Sequence, residues 1–181
     1  MKIYTGDVAG SNVKALKVVY TVDGRLSSLA ALLLDVNAQS KWVYSTKQSY
    51  MVNKKGDNGI VYYSEKSMPF PISNRDVVVS TDITQAANKV MTVNIHTVKS
   101  TIPEKKDVVR VPYTDVRWVV TPVANGKIAI EYVAKLDPGG SVPAWLVNMF
   151  CTKGPYETFS KLTAMLQQPA YKNASLSFIK D

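Results

Sequence analysis

The residue with the clearest capacity for chemistry is Arg75, near the start of a run that alternates between two faces. A buried guanidinium is costly unless it meets an acid, a carbonyl group or an anionic ligand group. Arg75 is therefore either a phosphate or carboxylate anchor inside a cavity, or a structural residue that ties the preceding Pro-Phe-Pro loop to the sheet, for example through Asp76. Alternation predicts an apolar strand face with Arg75, Val77, Val79, Thr81 and Ile83, and an outward face with Asp76, Val78, Ser80 and Asp82.

A second group of candidate ligand contacts is apolar and aromatic. Alternation places Tyr20, Met91, Trp118 and Tyr132 on inward faces and leaves open which of Tyr62 and Tyr63 faces inward. Tyrosine hydroxyls could orient a polar head and an aromatic cluster could hold a quaternary ammonium group, although most such residues simply fill a core. With three residues from the last helix, the candidate ligand-binding residues are Arg75, Tyr62, Tyr63, Met91, Trp118, Tyr132, Leu146, Met149 and Phe150.

Sequence motifs for catalysis are missing. The chain has no G-x-S-x-G, G-x-G-x-x-G, phosphate-loop or H-E-x-x-H pattern. The single histidine, His96, alternates onto the face opposite Met91 and is predicted to be a solvated strand residue rather than a general base. The single cysteine, Cys151, is predicted to pack as a small apolar residue. We expect no catalytic residue, no metal site and no cofactor.

Composition and charge narrow the function classes. The chain has 181 residues, of which 46% are hydrophobic and 20% charged, as expected of one globular domain. The net charge of +8 comes from dispersed residues, and the only adjacent basic pairs are Lys54-Lys55 and Lys105-Lys106. This dispersion favours a general attraction to anionic surfaces, membranes included, over sequence-specific nucleic-acid binding.

The N-terminus shows no secretory signal, because no apolar segment follows Met1-Lys2. If this N-terminus is native, the protein is expected in the cytoplasm. The chain starts inside a predicted strand, however, and a truncated N-terminus would leave room for a signal peptide or a lipid anchor.

Strands are predicted for most of the chain. Turn signals at 54–59 and at Asn125-Gly126 separate alternating segments, and the last strand has one apolar and one charged face, as expected of an antiparallel sheet. The predicted strands are 13–22, 44–52, 60–66, 75–83, 90–98, 108–121 and 127–137.

Helices are predicted near both ends, at 25–35, 36–42 and 142–168. Ser141 is a candidate N-cap for the last helix, and Gly154-Pro155 should kink or break it. These elements suggest a curved sheet that grips the last helix. Such a sheet cannot pack flush against one helix along its whole length, so a pocket for an apolar ligand is expected between them.

Three stretches together resemble the START domain, which is the lipid-transfer module related to steroidogenic acute regulatory protein. Within that family, the resemblance is greatest to the branch that contains phosphatidylcholine transfer protein. The order and spacing of all three match, over about residues 3–168. The stretches are Lys-Trp-Val-Tyr at 41–44, Met-Pro-Phe-Pro-Ile-Ser-Asn-Arg-Asp at 68–76, and Asp-Pro-Gly-Gly-Ser-Val-Pro-Ala-Trp-Leu-Val-Asn at 137–148.

The resemblance implies one α+β domain over 1–181 with a helix-grip fold, in which a curved antiparallel sheet wraps around the long C-terminal helix and encloses a tunnel. It also implies that this helix and a nearby loop, here 100–107, gate access to the tunnel. Gly154-Pro155 is a candidate hinge for that movement, with a static kink as the simpler interpretation.

One departure from the family concerns sterol binding. Cholesterol-binding members carry a basic residue six positions after the motif arginine and an acid on the preceding strand. Here these positions hold Thr81 and fall near Tyr62 and Tyr63. The resemblance therefore implies a mostly neutral tunnel and disfavours a sterol held by such a pair.

The sequence thus predicts a non-enzymatic, monomeric protein that binds one lipid or other hydrophobic small molecule in an internal tunnel and touches membrane surfaces transiently as it transfers its ligand. The alternative is an enzyme like the polyketide aromatase/cyclases, which would need several ionisable groups in the same pocket. A protein-interaction or nucleic-acid module would instead show one basic surface and no tunnel.

Overall fold

A nine-stranded sheet dominates the structure, a computed structural model that describes residues 1–8, 14–99 and 102–181. The helices are α1 (Leu26–Leu34), α2 (Gln39–Trp42), α3 (Ala144–Leu166) and α4 (Pro169–Lys172), with a 3-10 turn at Val36–Ala38. The strands are β1 (Lys2–Asp7), β2 (Lys14–Asp23), β3 (Thr46–Lys54), β4 (Gly59–Lys66), β5 (Asn74–Gln85), β6 (Met91–Thr97), β7 (Val108–Arg110), β8 (Tyr113–Val123) and β9 (Lys127–Asp137).

The sheet follows the order β1-β2-β9-β8-β6-β5-β4-β3, and every pair on this path is antiparallel. The short strand β7 lies off the path and runs parallel to the start of β5. Asn125 and Gly126 both have positive φ angles, 63° and 67°, in the turn between β8 and β9. Three residues, 124–126, connect Val123 to its partner Lys127, so the predicted hairpin is present.

The structure corrects the prediction of one strand over 108–121. Two strands replace it, because Pro112 has no backbone N–H to donate and separates β7 from β8. The N–H of Val111 instead donates to the carbonyl of Asp76 at 2.8 Å. Val13, the first residue of the predicted strand 13–22, lies outside the described residues.

The last helix also differs from its prediction. It begins at Ala144 with Pro143 at the N-cap position and no side-chain cap, so the assignment of Ser141 as the cap was wrong. It continues through Pro155 to Leu166, which excludes a break there. None of the described helices is long and apolar enough to cross a bilayer.

The core lies between the sheet and the helices α1 and α3. Leu26, Leu29 and Leu33 of α1 are buried, as the predicted apolar stripe requires. Phe159 and Leu162 of α3 belong to the same cluster. A hydrogen bond of 2.6 Å between the hydroxyl groups of Tyr20 and Thr163 joins the sheet to α3.

The outward face of β5 carries the residues that alternation assigned to it, and it is largely buried. Asp76, Val78 and Ser80 are each only 1% exposed. The Arg110 side chain pairs with Asp76 and lies near Val78, and Lys55 donates to the hydroxyl of Ser80.

Candidate functional site

A cavity of about 350 Å3 lies between the sheet and α3. Its walls come from β2, β4, β5, β6, β8, β9 and α3, with further residues from α1, α2 and the loops that join these elements. Most lining side chains are apolar. The volume is at the small end of the ~300–1,000 Å3 that ligand pockets usually occupy.

A larger depression of about 670 Å3 lies on the outer surface between β5, β6 and β8. It is more open than the inner cavity, and exposed side chains such as His96, Lys99 and Asp115 line it. Enclosed apolar walls shield a ligand from water better than an open polar groove does. The inner cavity is therefore the stronger candidate site.

Six of the predicted ligand-binding residues line this cavity: Arg75, Tyr62, Trp118, Tyr132, Leu146 and Phe150. Tyr62 and Tyr63, whose faces alternation left open, separate here, and Tyr63 lies on the opposite face of β4. Its hydroxyl donates to Glu65 at 3.2 Å, and its ring stacks on Tyr50 at 4.9 Å between centroids.

The other two predictions are corrected as well. Met91 is fully buried in the main core cluster and does not line the cavity, because it lies at the far end of the sheet, opposite Val120 and Gln85. Met149 on α3 is half-buried and also lies outside the cavity wall, whereas its helical neighbours Leu146 and Phe150 belong to it. The helix turns Met149 away from the face that these two residues share.

Aromatic rings form one wall of the cavity. Trp118 and Tyr132 meet edge to face at 4.9 Å between centroids, and both lie within 5.6 Å of Phe159 on α3. These side chains bridge the sheet and the helix, so their packing fixes the width of the cavity at this end. Burial raises the pKa of the Tyr62 and Tyr132 hydroxyls, which keeps both groups neutral.

Arg75 is buried, 5% exposed, and faces the cavity as predicted. Its guanidinium donates to the carbonyl of Ser73 at 2.6 Å and to that of Gly139 at 3.3 Å. These bonds tie the loop after β4 and the turn before α3 to the sheet, so the loop is held through carbonyl groups and not through Asp76. Within the described chain, Arg75 Nε is buried with no hydrogen-bond partner.

Lys66 is a charged cavity residue that the sequence analysis missed. It lies on the cavity side of β4, directly opposite Arg75 on β5, and its Nζ donates to the hydroxyl of Thr46. Burial lowers the pKa of Lys66 to about 7. Alternation from Tyr62 through Ser64 to Lys66 could have found it, had the register between β4 and β5 been known.

The sequence neighbours of these two cations lie on the other face of the sheet. Glu65 and Asp76 are also directly opposite each other, and both are 1% exposed. Glu65 pairs with Lys47 at 2.9 Å and Lys105 at 3.1 Å, while Asp76 pairs with Arg110 at 2.6 Å. Both carboxylates are thus neutralised by cations from the outer side.

The predicted gating loop lies on this outer face as well. Lys105 reaches Glu65, and its Nζ lies 4.6 Å from the centre of the Tyr63 ring. None of residues 102–107 lines the cavity, so their observed contacts cover the outer face of β4 and β5 instead. Ser100 and Thr101 of the predicted loop lie outside the described residues.

The candidate hinge at Gly154-Pro155 is packed closely against the α2–β3 connection. A Cβ at Gly154 would lie 3.2 Å from the Tyr44 ring, and the N–H of Tyr44 donates to the hydroxyl of Thr158 at 3.0 Å. Tyr44 also meets Phe150 edge to face at 5.3 Å. These contacts hold the middle of α3 and favour the static interpretation over a hinge.

The family model of the START domain matches residues 1–172 of this chain. The chain belongs to the START domain family. The resemblance carried by the three sequence stretches is thereby confirmed.

Two relatives illustrate this membership. An uncharacterized protein of Pseudomonas aeruginosa is 29% identical over 168 residues, which cover 93% of this chain and 83% of the relative. Phosphatidylcholine transfer protein of Rattus norvegicus is 31% identical over 145 residues, which cover 75% of this START domain and 66% of the rat protein.

Solved structures confirm the helix-grip arrangement. A STAR-related lipid transfer protein from Xanthomonas axonopodis has a TM-score of 0.82 at 28% identity, covering 92% of this chain and 93% of that one. The Zhui aromatase/cyclase of a Streptomyces species has a TM-score of 0.57 at 10% identity, covering 87% of this chain and 93% of that one. The second likeness shows a shared fold alone.

Proposed function

We propose that this START domain, over residues 1–181, binds one lipid or other hydrophobic molecule in the inner cavity and carries it between membranes without a chemical step. The observation that carries the proposal is the mostly apolar cavity between the sheet and α3. Burial of an aliphatic chain there would supply most of the affinity, at roughly 25 cal/mol for each Å2 of apolar surface before association costs.

Arg75 has two roles in this proposal. Its bonds to the carbonyls of Ser73 and Gly139 hold the loop between β4 and β5 and the turn before α3. Its unpartnered Nε supports a second role as the contact for a polar ligand head. The two interpretations of Arg75 are compatible, because different nitrogens of one guanidinium serve them.

Exposed aromatic side chains support transient membrane contact. Phe70, between two prolines, is 97% exposed, and Trp145 and Tyr156 of α3 are 55% and 61% exposed. The two α3 residues lie about three turns apart and so on one face of the helix. Aromatic side chains partition to the membrane interface, and a net charge of +8 favours an anionic surface.

The proposal is tested by native mass spectrometry of the purified monomer, followed by extraction and identification of any released molecule. A cavity-filling variant, Ala134→Phe, should lose this ligand, because Ala134 lines the cavity. Val133→Phe, on the neighbouring outward position of β9, is the matched control and should keep it. A protein without ligand that takes up none from vesicles would contradict the carrier function.

A second candidate function is an enzyme like the aromatase/cyclases. The observation that favours it is Lys66, an amine whose pKa is lowered to about 7 by burial inside the cavity. Incubation with a poly-β-ketone thioester should then give a cyclised product with wild type and none with Lys66→Met. Recovery of unchanged substrate from wild type would exclude this function.

A further inference from the structure

Two cations face the cavity side by side without a carboxylate to neutralise them. Lys66 and Arg75 are directly opposite each other on β4 and β5, a position in which side chains of an antiparallel pair approach within about 5 Å at Cβ. Like charges in this position destabilise a sheet. No aspartate or glutamate is among the described residues that line the cavity.

The nearest acids in the sequence cannot supply this charge. Glu65 and Asp76 lie on the opposite face of the sheet and are already bound by Lys47, Lys105 and Arg110. At this end of the strand pair the fold thus sorts four charged residues, with Glu65 and Asp76 on the outer face and Lys66 and Arg75 on the inner face. Such sorting has a cost that an anionic group between Lys66 and Arg75 would offset.

Unsatisfied donors in the cavity wall point to the same ligand chemistry. Among the described residues, the buried N–H groups of Arg75 Nε, Trp42 Nε1 and Trp118 Nε1 have no acceptor, and all three residues line the cavity. Buried donors are nearly always paired in folded proteins. These three groups call for a ligand rich in acceptor oxygens.

We infer that the cavity selects an amphiphile with an anionic head, a carboxylate or a phosphate, held between Lys66 and Arg75. This inference rests on the proposed function and adds the chemical class of the ligand. Arg75 binds the head from β5 through its free Nε, and Lys66 binds it from β4 as an ammonium. The aliphatic tail lies against the aromatic wall.

The other residues that line the cavity add no negative charge that would repel an anionic head. The other ionisable groups that line the cavity are Lys14, Tyr44, Tyr62, Tyr132 and Cys151. Lys14 pairs with Asp7 at 2.7 Å, and Thr46, the partner of Lys66 on β3, is uncharged. A head with two negative oxygens would meet positive or neutral groups only.

The experiment compares four probes that share one lauroyl chain and differ in the head. The twelve-carbon acyl chain is chosen because the cavity volume of 350 Å3 equals about twelve water-sized volumes of ~30 Å3 each, one for each carbon of the lauroyl chain. The probes are laurate, lauroyl lysophosphatidic acid, lauroyl lysophosphatidylcholine and monolaurin. Binding to delipidated protein is followed by tryptophan fluorescence, because Trp42 and Trp118 line the cavity.

We expect the affinity for laurate or for the lysophosphatidic acid to be at least about tenfold higher than the affinity for monolaurin, because an anionic head accepts charge-assisted hydrogen bonds. Comparison of these two anions distinguishes a carboxylate head from a phosphate head. Lys66→Met should lower the ratio of laurate affinity to monolaurin affinity about tenfold, because the variant lacks the ammonium contact to the anionic head. Lys135→Met, which removes an exposed lysine from the outward face of β9, should keep it.

A wild-type titration gives an independent readout that needs no variant. The affinity for laurate should fall as pH rises from about 7 to 9, because the free protein then loses the Lys66 proton that the bound anion requires. Equal binding of all four heads, or an unchanged preference in Lys66→Met, would overturn the inference and leave the carrier function intact. Binding of none of the four would overturn both.

Discussion

Arg110 donates two hydrogen bonds to the carboxylate of Asp76, from Nε to Oδ1 at 2.6 Å and from a terminal nitrogen to Oδ2 at 3.2 Å. Asp76 is buried, and Arg110 is mostly so. This pair fastens the segment after β6 onto the outer face of β5. Asp76 is the only acidic neighbour of Arg75 in the sequence. Because Asp76 is bound to Arg110 on the outer face, it does not neutralise Arg75 on the inner face.

Replacement of Arg110 by methionine should destabilise the fold strongly. The substitution leaves the Asp76 carboxylate buried without its partner, which costs about 3 kcal/mol or more. Urea unfolding of Arg110→Met measures the loss. Arg117→Met, at an exposed position of β8, is the control and should change the free energy of unfolding by less than about 0.5 kcal/mol. Equal stability of the two variants would contradict the assignment of the pair as a fastening contact.

Lys66 should make the stability of the ligand-free protein depend on pH. Its pKa is about 7 in the folded chain and about 10.4 when unfolded. Between these values the unfolded state binds the additional proton, so the free energy of unfolding contributed by Lys66 rises with pH, by up to about 1.4 kcal/mol per unit. Unfolding midpoints of wild type and Lys66→Met at pH 6 to 9.5 should therefore differ in slope. Parallel curves would show that Lys66 titrates normally.

Phe159 should be the residue of α3 whose truncation costs most. It is 2% exposed and contacts the rings of Tyr20, Trp118 and Tyr132. Phe159→Ala should lower the free energy of unfolding by about 3–5 kcal/mol and enlarge the cavity. Thermal unfolding measures the first effect, and uptake of a longer acyl chain measures the second. Phe178→Ala, outside the cavity wall, is the comparison for a phenylalanine truncation elsewhere.

Phe70 should matter for membrane contact and not for folding. It is almost fully exposed, so Phe70→Ser should leave the unfolding temperature unchanged. Flotation with vesicles that contain anionic lipid should show weaker binding, because an aromatic side chain is lost from the interface. Met51→Ser, an exposed apolar residue of β3, is the control. Equal flotation of both variants would exclude the loop around Phe70 as a docking element.

Local patterns in the sequence were enough to predict the α+β arrangement. Alternation along 127–137 gave the bounds of β9, and Asn125-Gly126 predicted its hairpin, because both signals depend on neighbouring residues alone. Alternation along β5 likewise predicted that the Arg75 side chain is buried. Three short stretches together indicated the family.

The composition of the cavity depended on tertiary structure. Lys66 became a neighbour of Arg75 only through the register between β4 and β5, which the sequence of either strand does not specify. Tyr63 and Asp76 are buried because a segment far along the chain returns to cover them, held by Arg110. Alternation predicts which residues share a face, whereas contacts between distant segments decide what covers that face and which charges it must balance.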